Sequence, residues 1–553
     1  MISELGKIEC VSRIIAVCAN RGLTPASGIV LQEIGLQFEQ LYLWTLSRAQ
    51  IRELTESFFD TDDFEMTSLV TQKVYDDLLG LCIPLTPNNV IMYMKILFVD
   101  GNFIPINRVD ILQKFLMDSL RRPSDSFTGS FNYRNKIDII AEFSKLLLRE
   151  ERGYFTQKDW LNFCDEFKAR TLLGFNSNSI LDEILEARIF ARSGERIFFR
   201  YGFFYSFALG SALNSDQGAL DEFLQDRNYT SVSDVLDVVT ALNPNSDRII
   251  DALGSDLVRA LQEFQEQVVK ENFDPLLDAL WASNDKEDEQ TWQPIAKAIS
   301  EGPEKPEKID SLKSSYLAEA RTADQEVTIK KFHEIEYNLV IIKKNLVEVL
   351  KNVNDVDRDK KVSAYESLLK AELCSFQVGT VFAPELAQSR FYRWGAIAFL
   401  DFNKAAKDLN PVSAEAISNV VVSLSRSVAI KSRQDLAFQK LGGIFADRAL
   451  RTVSVGYLEV LNFYHLIGGR AEGWEKAAEH LLEKASPGSL YLLIMLRGIL
   501  DELKHDVVRI GDRSKLKRLV AYTRAKRMYV VSKPSDQQIA NFIQKMSKEE
   551  LIA

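Results

Sequence analysis

The amino-acid sequence predicts a mainly α protein with a small α+β part, and three observations carry that expectation. Apolar residues recur at helical spacing through most of the chain beyond residue 47. One stretch, residues 179–213 (SILDEILEARIFARSGERIFFRYGFFYSFALGSAL), interrupts the helices with two short runs of strand formers around a glycine. Near the start, residues 13–18 (RIIAVC) form the continuous apolar run of a buried parallel strand, and residues 38–46 offer a second strand. Such strands need cover on both edges and both faces. The expectation is therefore that most of their sheet is contributed by polypeptide outside this sequence.

The helices announce themselves by their ends. Ser47 to Gln50 reads as a capping box ahead of Ile51, Leu54, Thr55 and Phe58. Within residues 74–96, Gly80 and Pro84 flank a short apolar stretch, and Pro87 is expected to end the helix before it. Asn107 caps the next helix, with Asp110 near its positive end, Ile106 stapling to Ile111, and Leu112, Phe115 and Leu116 facing inward. Ile137, Ile140, Phe143 and Leu147 mark another amphipathic helix. Thr156 with Asp159 caps the one after it, where Phe155 staples to Trp160.

In the central stretch, Ser179 with Asp182 is read as the cap of a helix that buries Leu181, Ile184 and Leu185. Residues 188–191 and 196–199 then pair as strands about a Ser193-Gly194 turn. From Tyr201 onward the chain is apolar nearly all round, which predicts a buried helix. Helix, hairpin, helix is the back half of a winged helix, and the helices from residue 131 complete it.

Beyond residue 216 the pattern is helical throughout. An acidic, proline-bearing stretch over residues 283–308 reads as a linker. Ile329, Phe332, Ile335, Leu339, Ile342, Leu346 and Leu350 form a seam with alternating spacing of three and four that calls for a partner helix. Tyr365, Leu368, Leu369 and Leu373 can fold back on it after a polar turn. Further helices are expected over 414–428, 457–467, 474–485 and 490–501. They follow no fixed period, so the domain is irregular rather than a repeat array.

Composition excludes several functions. A net charge of −10 over 553 residues disfavours broad nucleic-acid binding. The five cysteines show no C-x-x-C spacing and point to a reducing, cytoplasmic setting. The four histidines lie far apart, as packing or surface residues do. The start of the chain carries no export signal, and the apolar run over 490–500 is too short to cross a membrane. No G-x-x-x-x-G-K-[ST] phosphate cradle occurs, nor a hydrophobic strand ending in acids to hold magnesium, so no enzyme is expected from this chain alone. The helix ahead of the hairpin carries Asp182, Glu183 and Glu186, which would repel DNA phosphates. The basic residues over 515–533 are read first as the solvated face of a terminal helix, with RNA or an acidic partner as the alternative.

The run RIFFRY followed by FFYSFAL resembles the end of the winged helix in STAND-class signalling NTPases, the NACHT-like branch in particular, although animal members usually carry histidine at the position of Tyr201. The Leu-Ser-Arg-x-Gln-Ile opening of the helix at residue 46 is similar to the start of that class's lid domain. The resemblance covers roughly residues 10–213. It implies a remnant of the nucleotide-binding α/β core over 1–46, a helical lid over 47–125, a winged helix over 126–215, and an α-helical sensor or scaffold domain over 216–553. It also implies that Arg21 is a sensor arginine toward the terminal phosphate, that Pro84 touches an adenine ring, and that Tyr201 takes the nucleotide-sensing position. ATP or ADP would bind only with the missing core, supplied by an upstream P-loop or effector segment. Partners would then be protein, self-association included, with neither nucleic acid nor membrane. The implied function is the carboxy-terminal regulatory part of a nucleotide-dependent switch; the alternative is a stand-alone helical interaction adaptor whose winged helix is structural.

Overall fold

The computed structural model describes residues 46–59, 64–80, 83, 85–101, 103–105, 107–121, 132–232, 234–244, 246–267, 333–381, 391–394, 398–401, 414–505 and 510–552. The expected opening strands over 1–45, the staple residue Ile106 and the linker over 283–308 lie outside these. The described residues are mainly helical, with two two-stranded antiparallel sheets among them. They divide into two compact units. The first combines Leu46–Ala260 with Asn338–Leu368, and the second contains Leu369–Ala553.

The first unit opens with α1 (Arg48–Phe59), α2 (Phe64–Gly80), α3 (Pro87–Val99) and α4 (Arg108–Leu120). Ser47 and Gln50 exchange side-chain-to-backbone hydrogen bonds of 2.9 and 3.3 Å, the capping box expected ahead of α1. Pro87 behaves differently from the expectation: it opens α3 instead of ending α2. Thr86 is the cap, and proline at the first helical position forfeits an N–H that would have had no partner. Asn107 and Asp110 close a reciprocal box at the start of α4.

Next come α5 (Tyr133–Arg149), α6 (Gln157–Thr171) and α7 (Ser177–Glu186), then β1 (Phe190–Ser193) and β2 (Arg196–Phe199). Thr156 and Asp159 box the start of α6. The start of α7 differs from the sequence reading. Asn176, not Ser179, accepts the free N–H groups of residues 178 and 179, both at 3.1 Å. Arg188 is not in a strand. Its left-handed backbone (φ 59°) and its N–H bond to Leu185 close the preceding helix. The hairpin pairs Ser193 with Arg196, so the two-residue turn is Gly194-Glu195, with the positive φ on Gly194. Phe155 bridges Ile197 in antiparallel fashion through bonds of 2.8 and 2.7 Å, which sets a third extended segment beside β2.

The buried helix predicted from Tyr201 is α8 (Gly202–Ser215), and it lies against α5 and α10 (Val235–Leu242). Phe204, Phe207, Leu209 and Leu213 are all buried. Each fully buried side chain of this size contributes about 1.5–3 kcal/mol. The approach to α10 is close: a Cβ at Gly210 would lie 2.6 Å from the Val238 Cβ. Between these helices runs α9 (Gln217–Gln225). The unit is completed by the first part of α11 (Asp247–Gln267), the later part of α12 (His333–Asn352) and the first part of α13 (Arg358–Val381). On α12 the predicted seam is buried at Leu339, Ile342, Leu346 and Leu350.

In the second unit β3 (Phe391–Trp394) and β4 (Ala398–Asp401) pair antiparallel. Helices α14 (Ala414–Leu436), α15 (Gly442–Arg451), α16 (Tyr457–Gly469), α17 (Trp474–Lys484), α18 (Leu490–His505), α19 (Ile510–Tyr529) and α20 (Asp536–Ile552) follow. Helix α16 is the centre of this unit. It touches α14, α15, α17 and α18, and residues 460–467 are all buried. A helix without a polar face can exist only when neighbours cover it on every side. Among the described residues no helix is long and apolar enough to cross a membrane.

Candidate functional site

Of the three residues singled out in the sequence, Arg21 and Pro84 lie outside the described residues. Tyr201 lies within them, at the N-cap of α8, and offers that helix no side-chain cap. Its hydroxyl accepts a 3.3 Å hydrogen bond from Arg200 Nε, and the Arg200 guanidinium sits 5.5 Å from its ring centroid. The Tyr201 ring stacks on Phe203 at 5.2 Å with only 12° between the planes. Phe203 meets Phe204 edge-on at 4.5 Å, and Phe204 stacks on Phe115 of α4 at 6.0 Å. The Lys95 ammonium lies 5.8 Å from the Phe115 centroid. The half-exposed end of α8 is thus a slab of four aromatic rings with a cation at each side. Stacking and cation–π contacts are what this surface can supply, to its own residues or to a flat partner. No nucleophile or general base belongs to it.

Two buried polar clusters were not visible in the sequence. In the first unit, Asp234 at the head of α10 receives Arg108 Nη1 at 3.3 Å and Lys344 Nζ at 2.8 Å. Despite burial, these two cations hold its carboxyl well below the usual range. One turn further on, buried Asp237 accepts the Asn352 amide at 2.8 Å, and the same amide also donates to the Asp237 carbonyl at 2.9 Å. Burial, aided by the nearby charge of Glu348, pushes the Asp237 carboxyl up to about 6, with Arg108 and Asn352 opposing. Asn352 therefore clasps α12 to α10 across 115 residues of sequence.

In the second unit, Glu502 of α18 is bound by both Arg433 of α14 and Arg470 at the end of α16. Arg426 grips Asp501 with two bonds of 2.8 and 2.9 Å. His465, buried in α16, shares a 2.9 Å hydrogen bond with Ser432, and burial pushes its imidazole down to about 3. It is a packing histidine, held neutral. The only sequence signals for these clusters were charged or polar residues interrupting apolar helix faces, and those do not name partners.

The basic stretch of α19 is largely spent within the chain. Lys526 is fully buried and donates to the carbonyls of Glu483 and Ser532 at 2.6 and 2.7 Å. Arg518 reaches Glu479 and Asp536, and Lys533 reaches Glu483. Cys164 and Cys374 are buried free thiols, each pushed up to about 11 by burial. Among the described residues no group of histidine, cysteine and acidic side chains could hold a metal ion. No protein-family model, curated protein or solved structure matches the chain.

Proposed function

We propose that this chain is a cytoplasmic regulatory module without catalysis of its own: the lid, winged helix and helical sensor of a STAND-type nucleotide-dependent switch. One observation carries the reading. The order α5, Phe155 bridge, α6, α7, β1, β2 supports the winged-helix reading, and it runs directly into the buried α8 through Tyr201. The last helix packs against both α5 and α10, and a helix so covered suits a lever more than a free domain. The aromatic slab beside Tyr201 is where such a lever would meet nucleotide held by a P-loop that this sequence lacks. ATP or ADP would bind only with that core.

The rival reading is a helical interaction adaptor in which the slab is plain packing. It is favoured by Arg200, which is already engaged by Tyr201 instead of being held for a phosphate. The experiment that separates them starts with the chain alone, mixed with ATP and Mg²⁺; no phosphate release is expected, and sustained release would mean an enzyme. An in-frame P-loop encoded just upstream, whose product binds ADP more tightly with this chain than without it, supports the switch. Absence of any such gain leaves the adaptor. With the gain present, Tyr201→Ala is expected to reduce it.

A further inference from the structure

Two helices of the first unit end side by side, and both end in apolar side chains. Helix α1 finishes on Phe58 and Phe59, and α3 finishes on Phe98 and Val99. The three phenylalanine rings form one cluster. Phe58 meets Phe59 at 5.1 Å and Phe98 at 6.3 Å, and Phe59 lies 5.9 Å from Phe98. Phe58 and Phe59 pack against the core of the unit, which gives the cluster a fixed base. Its outer side faces solvent: Phe98 is 69% exposed and Val99 67%, and Ile104, in the connection to α4, is 77% exposed. A lone exposed apolar residue is ordinary. Exposed apolar residues gathered on a base of further rings mark an interaction surface.

The charge of this surface is negative. The carboxyl end of a helix carries about half a negative charge on its unpaired carbonyls, and neither α1 nor α3 has a basic residue in its last turn to offset it. Asp100, the C-cap of α3, and exposed Glu56, three residues before Phe59, add carboxylates. Lys114 reaches Asp100 at 3.8 Å and Arg52 reaches Glu56 at 4.0 Å. Ion pairs that long between solvated groups are weak and leave both acids able to take another cation. Lys95, a turn before Phe98, lies over the Phe115 ring. No lysine or arginine occurs between Arg52 and Lys73 in the sequence. These charges choose among occupants. A second copy would bring like helix ends and like acids together, and an anionic membrane would meet the same repulsion. A partner with lysines or arginines around an apolar face satisfies rings and helix ends at once, and its cations can also sit on the phenylalanine faces. An amphipathic helix is the compact form of such a partner, because its apolar anchors share one face and its flanks carry the charge.

We infer that the joined ends of α1 and α3 are a docking surface for a basic amphipathic helix of another protein. Phe98 and Val99 take its apolar face, while Glu56, Asp100 and the two helix ends take its lysines or arginines. This inference stands on these helix ends alone and is independent of the nucleotide reading.

The test is fluorescence anisotropy of a labelled leucine–lysine peptide, about 18 residues long and patterned as an amphipathic helix, titrated with the full chain at about 150 mM salt. Saturable binding in the micromolar range is expected. The double variant Phe98→Ser, Val99→Ser should bind about tenfold more weakly, as loss of a central aromatic anchor does. Glu56→Lys with Asp100→Lys is a second pair that keeps every ring. Lysine suits the end of a helix, so this variant should stay folded while its affinity falls severalfold. A peptide of the same pattern with glutamate for lysine should not bind. No binding of the leucine–lysine peptide overturns the inference, as does equal affinity of either folded double variant. So does equal binding of the glutamate peptide. Dimerisation of the chain alone, or its retention by phosphatidylserine vesicles, also overturns it if Phe98→Ser with Val99→Ser abolishes that association and leaves peptide binding unchanged.

Discussion

One buried titratable group in each unit, an acid in the first and a base in the second, shows how one physical cost can act in two directions. In the first unit the group at risk is an acid, Asp237, held by the Asn352 amide beside an Arg108–Asp234–Lys344 line. In the second it is a base, His465, held by the Ser432 hydroxyl. Burial disfavours the charged form in both cases. The acid is therefore pushed up to about 6, while the imidazole is pushed down to about 3. The units differ as well in how they treat permanent charge. The first spreads cations around two separate carboxylates, whereas the second closes two arginines on the single carboxylate of Glu502.

The largest effect should come from breaking that closure. Glu502→Ala leaves the buried Arg433 and the partly buried Arg470 without the acid between them, and removal of one partner from a buried ion pair costs about 3–5 kcal/mol. The counterpart change in the first unit is Asn352→Ala, which removes a neutral donor from Asp237 at a cost of about 1–3 kcal/mol. Peptide-resolved hydrogen exchange at pH 7 reads the two separately. Protection should fall mainly in α14, α16 and α18 for the first variant and in α10 and α12 for the second. Comparable losses in both units from Glu502→Ala would mean that the two do not respond as separate bodies.

Acid should sharpen the contrast. The depressed His465 pKa means that the unfolded chain binds a proton there before the native state does, so stability is lost as pH falls from 6.5 toward 3. Between pH 6.5 and 4.5 the loss is about 2–3 kcal/mol at 1.36 kcal/mol per unit. For Asp237 the sign reverses: its native pKa is raised, so its contribution is largest below pH 3.8 and is lost as pH climbs through about 6. Hydrogen exchange at pH 6.5 and 4.5, corrected for intrinsic rates, should therefore show α16 losing protection while α10 gains relative to variants without the titrating group. His465→Gln should flatten the first trend and Asp237→Asn the second. A wild-type profile that matches its own variant would show that the group is not held as the structure holds it.

What was legible in the sequence was local, and what was not legible depended on distant residues. The boxes at Ser47–Gln50, Asn107–Asp110 and Thr156–Asp159 could be read because cap and partner lie three residues apart. The apolar run after Tyr201 foretold a buried helix because that inference needs only composition. By contrast, Asp237 and Asn352 are 115 residues apart, and Arg433 and Glu502 are 69 apart. Nothing in either neighbourhood names the other. The hairpin lay between these cases. Its strands were visible, but the turn sits one residue later than the sequence suggests, because the register pairs Ser193 with Arg196. Tyr201 stands at the head of its helix, where its ring stacks on Phe203 and tilts against Phe204, but the contact of Phe204 with Phe115 of α4 could not be read locally.

The smallest predicted effect tests one such local misreading. Ser179 and Asn176 are three residues apart, and both side chains can cap a helix, so sequence alone does not choose between them. The structure chooses Asn176, whose Oδ1 accepts two backbone N–H groups, while the Ser179 hydroxyl only reaches Glu183 at 3.4 Å in an exposed position. Asn176→Ala should cost about 1 kcal/mol, as loss of a cap does. Ser179→Ala, at an exposed interior position of the helix, should be neutral within about 0.5 kcal/mol. Local exchange in α7 measures both. Because α7 feeds directly into β1, the Asn176 variant should also loosen the hairpin, and a loss confined to Ser179→Ala would move the start of the helix back to where the sequence first suggested it.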